Sequence, residues 1–252
     1  MTSVAVSSGS IFLAGASGAI GRRLCELLLA DGWRVFGTTR SADKAALLRS
    51  SGVEPLVVDV FDAQALREAA LGTGARIFIH QLTDLPPGLD PARMPAARPR
   101  NARIRELGTR NLIAAGLACG MRRLIAQSIS FAYAPGPTPY REEAPLNVGA
   151  PDEAGGINAR GVASLESQVL GGPFEGVVLR YGKLYGPGTG FETPPAGGPV
   201  HVDAAADAAR RALTRGSPGI YNVAEEDGTV SSAKAARELG WRPDFRLRES
   251  GS

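Results

Sequence analysis

Short apolar runs alternate along the chain with segments of helical period. The first run, residues 10–14, ends at a glycine, and Ile20, Leu24, Leu27 and Leu28 follow. That is the i, i+4, i+7, i+8 spacing of one helix face. Asp31-Gly32 stops this helix. Strands are predicted at 34–38, 54–58 and 76–80, with helices at 43–50 and 63–71 between them. Residues 82–95 hold four prolines and no periodicity, so they form a loop. A long helix follows over 96–118, with Leu107, Asn111, Leu112, Ala115 and Cys119 on its inner side. The second half continues with a strand at 123–126, a proline-rich loop at 131–151, a helix at 154–170 and a strand at 176–180. It ends with a Gly/Pro-rich loop at 186–199, a helix at 204–214, a strand at 219–223 and a helix at 231–239.

Strands alternating with helices at this interval predict right-handed β-α-β units and an α/β fold, a Rossmann-like doubly wound parallel sheet. The long loops after strands four and five then lie beyond the carboxyl edge of the sheet, where ligands bind in such folds. The core is expected to span 1–185. Residues 186–252 are too few for an independent domain and are expected to form a small carboxyl-terminal cap within the same structural unit.

Composition narrows the function classes. The chain has 252 residues, 44% hydrophobic and 21% charged, the balance of an ordinary soluble domain. A net charge of +3 without a long Lys/Arg block argues against nucleic acid as a partner. The arginines at 93, 98, 100, 103, 105 and 110 read as a solvated helix face. Cys25 and Cys119 fall in predicted helices without metal-ligand spacing, so reduced thiols and no metal are expected. No apolar run approaches the roughly 18 residues of a membrane span. The first six residues lack a charged and apolar leader pattern, so a cytoplasmic protein is expected.

The chemistry starts at Gly15, Gly18 and Gly21, a G-x-x-G-x-x-G spacing between a strand and a helix. Gly15 allows a tight turn, Gly18 lets the main chain approach a pyrophosphate, and Gly21 lets the helix pack closely on the sheet. The N–H groups over Ser17, Gly18, Ala19, Ile20 and Gly21 face the phosphates at the helix start. In NAD sites an acid ends strand two and bonds the ribose hydroxyls. Here that position reads Thr38-Thr39-Arg40-Ser41. Arg40 can pair with a 2′-phosphate, with Thr39 and Ser41 adding hydroxyls, which favours NADP and leaves NAD as the alternative.

The glycine spacing resembles the short-chain dehydrogenase/reductase superfamily, especially its extended, epimerase/dehydratase-like branch. Further stretches carry the resemblance: Leu107-Gly108-Thr109-Arg110-Asn111-Leu112, the serine strand Ala126-Gln127-Ser128-Ile129-Ser130, residues 179–188 with Tyr185-Gly186-Pro187, and Pro199-Val200-His201-Val202-Asp203. Residues 219–223 and 238–243 match its carboxyl-terminal signatures. The resemblance implies that Asp59 and Val60 flank the adenine, that Tyr185 belongs to the stretch lining the nicotinamide, and that His80 ends strand four beside the cofactor track. Asp62 reads as a helix N-cap. A small-molecule substrate is implied. Members often pair through the helices corresponding to 96–118 and 154–170, which leaves a homodimer open.

The family's engine is Tyr-x-x-x-Lys on a helix with a Ser or Thr on strand five. The ammonium lowers the phenol pKa, and the phenolate exchanges a proton with the substrate oxygen. This sequence contains no Tyr-x-x-x-Lys. Aligned on Glu166, the Tyr slot is Asn158 and the Lys slot is Val162; the family's helix Asn is Arg105. Ser128 remains, with Tyr133 as a substitute acid and Lys183 as a substitute cation. Glu142 and Glu143 read as solvated. Two readings stand: an NAD(P)-dependent oxidoreductase or epimerase/dehydratase-like enzyme acting on a small hydroxylated or carbonyl substrate, or a non-catalytic NADP-binding sensor or scaffold. A non-redox isomerase or lyase on the same fold lies between them.

Overall fold

The computed structural model describes residues 9–153 and 155–247. The leader reading of the first six residues and the expected helix start at Ala154 lie outside them. Seven strands form one parallel sheet in the order β3-β2-β1-β4-β5-β6-β9: β1 (Ser10–Ala14), β2 (Arg34–Thr39), β3 (Glu54–Val57), β4 (Ile77–His80), β5 (Arg123–Ile129), β6 (Glu175–Tyr181) and β9 (Gly219–Val223). The chain order reverses between β1 and β4, so the switch point of this doubly wound sheet lies beside β1.

The period of two along the strands explains the two helix layers. Ile11 and Leu13 point to one face, Phe12 and Ala14 to the other. The first face buries against α1 (Ala19–Ala30), α2 (Ala42–Ser50) and α7 (Val202–Arg211). The second buries against α3 (Ala63–Leu71), α5 (Thr109–Ala118) and α6 (Gly156–Leu170). Both faces of the sheet are covered, as a parallel sheet requires. Asp62 caps α3 by accepting from the Ala65 N–H at 3.0 Å, as its position suggested.

The long helix of the sequence reading is interrupted. It runs as α4 (Met94–Arg103), a π-helical turn at Ile104–Gly108, and then α5. The wider turn shifts the helical phase, so Arg105 is 5% exposed instead of joining the solvated arginine face. The expected last helix contracts to a π-helical turn at Ala235–Leu239. Just ahead of the helical residues, which begin at 233, the Ser232 hydroxyl bonds both the N–H and the carbonyl of Ala224 and holds the chain against β9.

The carboxyl-terminal segment plays two parts. α7 and β9 complete the core layers. β7 (Lys183–Tyr185) and β8 (Pro199–His201) form a separate two-stranded parallel sheet, too short to show as sequence periodicity. The loop between them packs near Arg22 at the start of α1 and against Leu89, and so roofs the carboxyl edge. The outer strands are both guarded. β3 is four residues long and contains Pro55. On β9 the Asn222 N–H donates to the Glu142 carboxylate at 2.8 Å. Among the described residues no helix is long and apolar enough to cross a membrane.

Candidate functional site

β1 delivers the glycine loop to the switch point. Gly15 adopts φ +91°, and a Cβ there would come within 2.6 Å of the Gln81 carbonyl oxygen. Its N–H donates to Thr38 Oγ1 at 3.2 Å, which ties the loop to β2. Gly21 is a packing requirement of a different kind from the one expected. Its Cβ would overlap the Gly15 carbonyl oxygen and the Ala16 carbonyl, so it closes the loop upon itself and not the helix upon the sheet. Gly18 is the N-cap of α1, and no side chain caps this end. Its N–H bonds Gly15 O at 3.1 Å, while the first-turn N–H groups of Ala19, Ile20 and Gly21 have no intrahelical acceptor. The result is an exposed cradle of donors at a helix N-terminus, suited to an anion. Ser17 borders it, 3.5 Å from Thr39 Oγ1.

On the β2–β3 side, Arg40 lies beyond β2 with more than half of its side chain exposed, 3.3 Å from the Asp84 carboxylate. Asp84 also accepts from Arg100 at 2.8 Å, and these guanidinium groups hold its carboxyl below the usual range. The neighbouring hydroxyls are committed elsewhere: Ser41 caps α2 by accepting from Lys44 N, and Thr39 Oγ1 accepts from Ser41 N. Asp59 is exposed after β3 and accepts from Phe61 N at 2.9 Å. Val60 is buried, its carbonyl held by Asn111 Nδ2 at 2.9 Å.

On the β4–β6 side the sequence candidates meet in one buried network. Glu166 on α6 accepts from Ser128 Oγ at 2.8 Å and takes two hydrogen bonds from Arg180, at 2.8 and 2.7 Å. Arg180 also donates to Tyr133 Oη at 2.9 Å, and Tyr133 donates to Asn222 Oδ1 at 2.6 Å. Burial raises the Tyr133 phenol above its ordinary value, against the pull of Arg180. Ser128 and Tyr133 therefore spend their protons inside the protein. Glu142, read as solvated, is half-buried and uses its carboxylate to accept from the Asn222 N–H of β9.

His80 is fully enclosed: Nδ1 accepts from Leu82 N at 3.2 Å, which leaves Nε2 to donate to Thr109 Oγ1 at 3.1 Å. No ring atom is open to a cofactor. Burial, helped by Arg105, lowers it to about 4 and keeps it neutral. Tyr185 donates to Glu225 at 2.7 Å and packs edge-on to His201, facing the cap; burial first, then Glu225, pushes it up to about 12. Lys183 Nζ donates to Ala196 O at 2.7 Å and lines a cleft of about 200 Å³ with Ser130, Phe131, Tyr133, Tyr140 and Val230. The stacked rings of Tyr133 and Tyr140, with centroids 5.0 Å apart, form one wall.

Three buried side-chain atoms along this edge make no hydrogen bond: Gln81 Oε1 just after β4, Arg105 Nη1 on the helix that follows, and Ser130 Oγ after β5. Unmet polar groups on the segments that follow β4 and β5, with a phosphate cradle after β1, fit an extended polar ligand such as a dinucleotide. Sequence reasoning missed Gln81 and Ser130, which carry no motif, and assigned Arg105 to the surface.

Glycine cradle, switch point and orphaned polar atoms together define a dinucleotide-binding protein of the doubly wound class. A family model described as NAD(P)H-binding matches residues 15–151. A 3-diazoavenalumate denitrifying reductase from a Streptomyces species is 36% identical, covering 94% of this chain and 84% of its own length. The chain belongs to the NAD(P)H-binding family and is an NAD(P)-dependent enzyme. Its fold is shared with Thermus thermophilus UDP-glucose 4-epimerase in complex with NAD (22% identity, TM-score 0.72, 94% and 95% of the two chains). It is also shared with Bacillus anthracis dTDP-glucose 4,6-dehydratase with NAD (13%, 0.73, 94% and 92%).

Two outcomes follow from this geometry. Gly21→Ala should weaken NAD(P)H binding at least about tenfold in calorimetric titration, because the added methyl must displace the Gly15 carbonyl; unchanged affinity would show that the loop does not hold the pyrophosphate. His80 should also make stability pH-dependent. The unfolded chain takes up its proton near pH 6.5, whereas the folded chain refuses it until about 4. Stability is full above 6.5 and falls through that window by up to about 3 kcal/mol. Urea unfolding at several pH values should show that slope in the parent protein and lose it in His80→Gln.

Proposed function

We propose that the protein is an NADPH-dependent reductase that replaces the diazo group of an aromatic carboxylate with hydrogen. The observation that carries this reading is that the usual proton-moving pair is missing and the two hydroxyls nearest its place are committed. The sequence has no Tyr-x-x-x-Lys, Ser128 gives its proton to Glu166, and Tyr133 gives its own to Asn222. Reduction of a carbonyl or epimerisation of an alcohol needs a proton to move at oxygen. Loss of dinitrogen from an aryl diazonium cation does not. Bound NADPH supplies a hydride when present. The ring carbon gains a C–H bond with the hydride's electron pair, the C–N bond breaks, and its pair leaves with dinitrogen. The 36% identical relative, named for denitrifying reduction of a diazo compound, supports the same reading.

The cleft suits such a substrate. Phe131 and Tyr140 offer aromatic surface for a ring, and Lys183 retains two N–H donors for a carboxylate after its bond to Ala196 O. The Ser130 hydroxyl has no protein partner and is available to the ligand. In this reading Ser128 and Tyr133 hold Arg180 and Glu166 in place, and Lys183 anchors substrate. The test uses NADPH deuterated at the transferable position with an aromatic diazonium carboxylate, beside a ketone on the same ring. Ring deuteration with dinitrogen release above the protein-free rate, and an untouched ketone, is the expected result. Ketone reduction without dinitrogen release would overturn it.

NADPH is preferred over NADH in this proposal because Arg40 and Arg100 share a single carboxylate, Asp84. A dianionic 2′-phosphate can compete for the pair, and no acid ends β2 to bond a free 2′-hydroxyl. Arg40→Glu should lower NADPH affinity about tenfold or more and NADH affinity far less. Equal losses would remove Arg40 from the argument.

A further inference from the structure

Arg105 is a charged side chain in the wrong place for a charged side chain. The π-helical turn carries it inward to 5% exposure, while Arg100 and Arg110 on the same stretch keep more than half of their side chains in solvent. Among the described residues it makes no ion pair and no hydrogen bond, and its Nη1 is fully buried. The carboxylate that acts on it most strongly is Glu166, but both Glu166 oxygens are already taken by Arg180 and Ser128. His80, its other polar neighbour, is neutral. The enclosed group of Arg105, Arg180 and Glu166 therefore carries one uncompensated positive charge.

Leaving a buried guanidinium unsatisfied is costly, and an apolar side chain of similar volume would remove the penalty. The packing has been arranged around it instead. α4 and α6 meet at Gly161, where a Cβ would lie 3.1 Å from Ala102 Cα and 3.5 Å from Arg105 Cδ. Its neighbour Val162, and Asn158 one turn earlier, fill the helix positions at which a lysine and a tyrosine were sought. Val162 itself packs with Ala132, Ala159, Ile129 and Leu146, while the Arg105 side chain comes in from the facing helix against Gly161. This is the β4–β6 half of the sheet, and in a doubly wound fold the second half of a dinucleotide lies over that half.

We propose that Arg105 is a cofactor-binding residue whose guanidinium donates to the hydroxyl oxygens of the nicotinamide-side ribose. The proposal rests on NAD(P) binding and is independent of the diazo substrate. A fork of N–H donors matches a pair of adjacent oxygens, and a bond from a buried charged donor has a large effect.

The test compares NADP+ with 2′,5′-ADP, which keeps the adenosine half and lacks the second ribose. In Arg105→Met, NADP+ binding should weaken about ten- to a hundredfold by calorimetry, and 2′,5′-ADP binding should stay at the parent value. Arg105→Lys, which keeps the charge without the fork, should fall between. The melting temperature of ligand-free Arg105→Met should hold or rise, because an unpaired buried charge has been removed; a guanidinium with only a structural role would lower it. Unchanged NADP+ affinity, or equal losses for both ligands, would overturn the assignment while leaving NADP binding itself intact. Failure of the parent protein to bind NADP+ would overturn both.

Discussion

The bidentate ion pair between Glu166 and Arg180 is the joint on which the catalytic half of the molecule depends. It fastens α6 to β6 with both carboxylate oxygens occupied, and then spreads. Through Ser128 it fixes the end of β5. Through Tyr133 and Asn222 it reaches β9 and the loop that carries Tyr140. Burying such a pair is worth little relative to apolar packing, but removing one partner strands the other charge and typically costs about 3–5 kcal/mol. Its value is positional. Five segments between β5 and β9 are held in one register, and the cleft wall formed by Tyr133 and Tyr140 is a consequence of that register.

Opposite this rigid joint lies an edge with unfinished bonding. The cradle at α1, Gln81 Oε1, Arg105 Nη1 and Ser130 Oγ follow the carboxyl ends of β1, β4 and β5. A protein interior seldom leaves several polar atoms unmet at one edge. Saturated bonding behind and open bonding in front make the site a surface prepared for a ligand and backed by a fully bonded layer. The chemistry assigned to the site agrees with this division: the Ser128 and Tyr133 hydroxyls are locked behind, and Ser130 and Lys183 in front are free to hold a ligand.

Much of the architecture was legible in the chain itself. The alternation of apolar runs and helical periods predicted the parallel sheet, and the glycine spacing before α1 marked the cradle. What escaped had physical reasons. β7 and β8 are three residues each, shorter than any periodic signal. The phase shift at Ile104–Gly108 depends on tertiary packing, so Arg105 looked like one arginine of a wet face. Ser128 and Tyr133 looked available because their partners, Glu166 and Asn222, are 38 and 89 residues away. The missing Tyr-x-x-x-Lys was plain in the sequence, but only the bonding of the remaining hydroxyls gave that absence a chemical meaning.

The guarded outer strands bear on self-association. Pro55 removes an N–H from β3, and on the far side Glu142 occupies the Asn222 N–H of β9. A second copy approaching either margin in the strand direction meets a ladder with missing or occupied rungs. Continuous sheets across two subunits are thereby disfavoured at both ends. Association of two copies is left to helix faces, which can pack side by side without reordering the strands that position the site.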